Sequence, residues 1–116
     1  MQGRWAEGAT YAIADVDEIV AYAHERGIRV VPEVDVPGHT YSWGLAYPGI
    51  NADCPSKIAA DIGHINDVPL DPTNPLTLEI VGTIVGEMAA RFPDKFLHIG
   101  GDEFDVSCWK STPVCI

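Results

Sequence analysis

Asp102 and Glu103 are adjacent carboxylates directly behind a glycine pair, in the run Phe96-Leu97-His98-Ile99-Gly100-Gly101-Asp102-Glu103. Two carboxyls held close do not both ionise readily, because each negative charge raises the other's pKa. One then serves as a proton donor while its neighbour stays an anion, which is what acid–base cleavage of a bond needs. Neighbouring side chains on a regular strand point to opposite faces, so such a pair shares one pocket only where the backbone leaves strand geometry. Glycine permits that departure. Taken alone, Gly-Gly-Asp-Glu also reads as a solvated turn, and the rest of the chain must decide between the two.

The elements that would position this pair are legible on either side of it. Phe96 to Ile99 reads as a short buried strand. A helix is expected from Asp15 to Arg26, with Val16, Ile19, Val20 and Ala23 on one stripe, acidic residues in its first turn, and Gly27 as its stop. Ile28 to Val34 follows as a β-branched strand, although Pro32 cannot donate to a ladder. Asp35-Val36-Pro37-Gly38-His39 then turns the chain at that strand's C-terminal end. Tyr41 to Pro72 is irregular and proline-rich, with room for short helical turns. Asn74 reads as an N-cap with Pro75 at the first helical position, opening a helix to about Arg91. Two helix-then-strand units with tight connections describe an α/β protein with a parallel sheet. Both polar clusters, Asp35/His39 and Asp102/Glu103, fall just past strand C-termini, where α/β folds place their sites.

Composition narrows the function class. The 116 residues are 47% hydrophobic and 21% charged, which suits one globular unit. A net charge of −10 argues against nucleic acid or an anionic membrane surface as partner. No apolar run of about 18 residues is present, so no transmembrane segment is expected. The first residues lack the apolar core of a secretory leader. Cys54, Cys108 and Cys115 allow one disulfide with one thiol left over, or none in a reducing compartment. No paired-Cys or paired-His spacing suggests a metal site, and no glycine-rich phosphate cradle suggests a nucleotide cofactor.

Asp35-x-Pro37-Gly38-His39-Thr40, followed by His98-x-Gly100-Gly101-Asp102-Glu103, resembles the β-N-acetylhexosaminidases of glycoside hydrolase family 20. Ser42-Trp43-Gly44, Leu70-Asp71-Pro72-Thr73-Asn74-Pro75 and Cys108-Trp109 extend the likeness over nearly the whole chain. The resemblance implies a partial (β/α)8 TIM barrel and hydrolysis of terminal β-linked N-acetylglucosamine or N-acetylgalactosamine with retention. In that family the substrate's own acetamido oxygen attacks the anomeric carbon, and no cofactor is needed. It further implies that Glu103 is the general acid, then base, and that Asp102 orients the acetamido group. Asp35 and His39 would form a relay tuning Glu103, Asp35 fixing the His39 tautomer. Cys54 and Cys108 would form a disulfide between the loops after the two strands, leaving Cys115 without an evident partner. The substrate would be an oligosaccharide or glycoconjugate and the location lysosomal or secreted. A homo-oligomer of the full-length protein is compatible with the family. His98 reads as a hydrogen-bonded core histidine, Glu33 as interior polar packing and Trp43 as a core or loop anchor.

A whole barrel takes about 250 residues. Residues 1–116 are therefore expected to be a fragment of the catalytic barrel, about two βα units, inactive in isolation. Two competing readings are a non-catalytic carbohydrate-binding or decayed fragment, and a different α/β enzyme using the Asp-Glu pair on a divalent metal. The lack of further clustered carboxylates or histidines near Asp102 argues against the last.

Overall fold

The structure, a computed structural model, describes residues 6–54 and 67–110. Its helices are α1 (Ile13–His24), α2 (Tyr41–Ala46), α3 (Pro75–Arg91) and α4 (Ser107–Lys110).

Helix α1 begins two residues before the expected Asp15, because Asp15 caps backwards. Its Oδ2 accepts the Ala12 N–H at 2.7 Å. The helix ends at His24, two residues short of the expected Arg26, and Gly27 is the stop that the sequence indicates. Gly27 sits at φ +69°, a left-handed conformation that costs a residue with a Cβ about 1 kcal/mol. The Ile28 N–H bonds Ala23 O and the Gly27 N–H bonds His24 O, so the last carbonyls are satisfied as in a Schellman motif. Of the apolar stripe, Ala23 is buried, Val16 and Val20 are half-buried, and Ile19 stays exposed.

Helix α3 matches its expected bounds. Asn74 Oδ1 accepts the Leu76 N–H at 3.0 Å, and its Nδ2 donates to Gly49 O at 2.8 Å. One side chain thus caps the helix and ties it to the loop before it. Thr77 and Ile80 carry the buried face, and the Thr77 hydroxyl donates to Ile50 O.

The two expected strands are reduced to a single rung. Glu33 and His98 form a parallel bridge. Around it the His98 N–H bonds Pro32 O, the Val34 N–H bonds His98 O and the Val36 N–H bonds Ile99 O, at 2.9, 2.9 and 3.0 Å. Phe96 to Ile99 is not a buried strand, since Phe96 and Ile99 are 65% and 55% exposed. Nor is Ile28 to Val34 extended throughout as a ladder. Parallel strands persist when flanked and covered on both faces, and among the described residues neither segment has a second neighbour.

Burial gathers instead into two small clusters. Ile50, Leu70 and Ile80 pack with Val36, Trp43, Val81 and Ile84 against them. Ala52, Cys54, Val68 and Cys108 form the other, beside Tyr41 and Trp109. Trp43 is thus a core anchor. Cys54 and Cys108 are bonded, with Cα atoms 5.1 Å apart, joining the loops after the two extended segments. Cys115 lies outside the described residues. At the opposite end, Arg29 grips Asp94 through both Nε and a terminal nitrogen.

Candidate active site

The site is assembled by two turns, one after each extended segment. Asp35 closes the first segment. Its Oδ1 accepts the Gly101 N–H at 3.1 Å, so a carboxylate of the first segment holds the turn of the second. The chain then turns through a cis Val36–Pro37 bond to His39. Fully buried Thr40 pins this turn, its hydroxyl donating to Pro37 O at 2.9 Å. Pro37 O also accepts the Leu70 N–H at 2.9 Å.

Among the described residues, the two non-glycine residues with positive φ are both at this site, His39 at +54° and Glu103 at +52°. Such backbone costs roughly 1–3 kcal/mol and persists where surroundings enforce it. Here it brings His39 Nε2 to 3.2 Å from Glu103 Oε2. Asp35 Oδ2 lies 3.9 Å from the same nitrogen. The expected relay had Asp35 fixing the His39 tautomer. Asp35 and Glu103 both face Nε2 of the imidazole, and only Glu103 is within hydrogen-bond distance of it. Glu103 is 72% exposed. Asp102 is exposed beside it and makes no side-chain hydrogen bond to the described residues.

Behind Glu103 the chain is braced. Phe104 packs on Trp109 with ring centroids 4.9 Å apart. The Trp109 indole N–H donates to Leu70 O at 2.9 Å, and the neighbouring Cys108 carries the disulfide. Among the described residues, no three His, Cys, Asp or Glu side chains converge as a metal site.

Two side chains sit otherwise than their sequence context suggests. His98 and Glu33 are 64% and 52% exposed, so neither is core packing. The apolar neighbours of His98 suggested burial, but among the described residues the segment pairs with only one other. Glu33 Oε2 lies 3.2 Å from His98 Nδ1, and the same nitrogen accepts the Gly100 N–H at 3.1 Å. The sequence signal for this contact is the two-residue spacing from His98 to Gly100. Gly100, at φ +65°, could not carry a side chain, since a Cβ would lie 1.8 Å from Asp35 Oδ1.

Two adjacent exposed carboxyls, one against an imidazole, thus lie past the C-terminal ends of paired parallel segments, where α/β folds place their sites. The chain belongs to glycosyl hydrolase family 20, whose catalytic-domain model matches residues 2–116. It is 41% identical over 112 residues to the beta-hexosaminidase subunit A1 of Dictyostelium discoideum, covering 97% of this chain and 20% of that one. It is 43% identical over 105 residues to the rat (Rattus norvegicus) beta-hexosaminidase subunit alpha, covering 89% of this chain and 19% of that one. Among solved structures, a chitobiase of Flavobacterium johnsoniae superposes with a TM-score of 0.77 at 38% identity, over 95% of this chain and 17% of its own. The chain thus spans about a fifth of the length of these curated relatives. The likeness to solved family structures supports the α/β class.

Proposed function

We propose that these residues form part of the active site of a retaining β-N-acetylhexosaminidase acting on terminal β-linked N-acetylglucosamine or N-acetylgalactosamine of an oligosaccharide or glycoconjugate. The observation that carries the reading is the 3.2 Å contact of His39 with Glu103, next to an Asp102 left open to solvent. In this reading Glu103 protonates the leaving glycosidic oxygen. The substrate's acetamido oxygen attacks the anomeric carbon from the other side, giving an oxazolinium-like intermediate. Asp102 accepts a hydrogen bond from the acetamido N–H and offsets the positive charge that develops there. Glu103, now a carboxylate, takes a proton from the water that opens the intermediate. His39 and Asp35 hold Glu103 in place across both steps.

Several features support one section of a larger barrel, about two βα units, without turnover of its own. The chain covers a fifth of its relatives, and large apolar side chains are open along α1 and both extended segments. A lysosomal or secreted location, and a homo-oligomer, belong to the same reading. The disulfide supports an oxidising compartment. No helix among the described residues is long and apolar enough to cross a membrane.

The test is Glu103→Gln in the full-length protein, assayed on β-N-acetylglucosaminides with good and poor leaving groups. Loss of a general acid costs about 10²–10⁴-fold. The loss should be larger for an alkyl than for a nitrophenyl leaving group, which needs less protonation. Equal losses on both, or unchanged turnover, would remove the acid assignment.

A further inference from the structure

His98 Nδ1 has two claimants. The Gly100 N–H points at it from 3.1 Å, and Glu33 Oε2 lies 3.2 Å away. An imidazole nitrogen either carries a proton and donates, or is bare and accepts. The Gly100 bond therefore requires a bare Nδ1, whereas a bond to the Glu33 carboxylate would require a protonated one. The two bonds exclude each other. Gly100 N–H and Gly101 N–H are the last backbone donors before the carboxylate pair. Asp35 holds the second of them from the first extended segment, and His98 holds the first from within its own.

We propose that His98 is a positioning residue for Glu103: its bare Nδ1 closes the Gly100–Gly101 turn, and Glu33 competes for that nitrogen. This rests on the hexosaminidase reading. The bond from the N–H of residue 100 to the side chain of residue 98 has the ring size of an Asx turn. Asparagine at 98 can make it with its own Oδ1. Glutamine places its amide one bond too far, and leucine has no acceptor.

The experiment uses the full-length protein with His98→Asn, His98→Gln and His98→Leu. Steady-state kinetics and amide hydrogen exchange at Gly100 are followed together. His98→Asn is expected to stay within about threefold of the parent in kcat. His98→Gln and His98→Leu should lose at least about tenfold in kcat with KM within about threefold, since misplacing an acid weakens the transition state and not substrate binding. Gly100 should remain protected in the parent and His98→Asn, and exchange fast in the other two. The proposal is overturned if His98→Leu keeps both kcat and Gly100 protection, or if His98→Asn fares no better than His98→Gln. Should His98→Leu fail to fold, the Asn–Gln comparison decides alone. If the parent cleaves no β-N-acetylhexosaminide, the hexosaminidase reading fails, and exchange at Gly100 still reports on His98.

Discussion

Gly100 is the residue on which the site geometry turns. Its φ is +65°, and a methyl group there would overlap Asp35 Oδ1. Gly100→Ala therefore incurs a left-handed backbone cost of about 1 kcal/mol or more, and displaces the carboxylate that holds Gly101. We expect a lowered denaturant midpoint in the full-length protein, together with a kcat reduced by at least about tenfold through misplacement of Glu103. A variant with normal kcat would show that the Asp35–Gly101 bond does not aim the acid. At this scale the sequence was informative about which residues meet. The Pro-Gly turn and the glycine pair marked Asp35/His39 and Glu103 as two clusters past strand ends, the family resemblance implied that they meet, and the structure brings all three together. It was not informative about which ring nitrogen faces which carboxylate, because that depends on a left-handed His39 that no residue type announces. His98 was misjudged for a different reason. Apolar neighbours suggest burial only when a sheet exists on both sides of them.

Between elements, Arg29 pairs with Asp94 through two of its nitrogens. Asp94 is only 7% exposed and also accepts the Phe96 N–H. The hydrogen bond from Arg29, followed by that backbone bond, lowers its pKa from 3.8 to about 2. A carboxylate held below its unfolded value stabilises the fold above that value, and the benefit fades as pH falls through the folded one. Unfolding free energy of the full-length protein should thus decline between about pH 4 and pH 2 more steeply than that of Asp94→Asn. The two curves should converge below pH 2. Parallel curves through that window would mean the pair contributes no linked stability. Helices were readable to the residue where side chains write the ends, as Asn74-Pro75 does for α3. Strands were not, because a parallel strand is defined by neighbours that local pattern cannot supply.

Taken whole, the described chain has two small clusters of buried side chains and one covalent tie. The Cys54–Cys108 bond closes a loop with a sequence separation of 54 residues. In the chain-entropy account such a loop stabilises by up to about 4 kcal/mol. Cys54→Ser with Cys108→Ser is expected to lower the melting temperature of the full-length protein. Added reductant should lower the parent's melting temperature and leave the double variant's unchanged. A parent insensitive to reductant would argue that the bond adds nothing to the folded state.

The Arg29–Asp94 pair sits at the opening of the two extended segments, and every residue assigned to chemistry sits at their close. Robustness and reactivity are thereby written at separate addresses on the same backbone. Mutations accumulating at the first can harden or soften the protein against acid without touching the proton transfers proposed for the second. A lineage moving between acidic and neutral surroundings would have a dial to turn that leaves its substrate chemistry where it was.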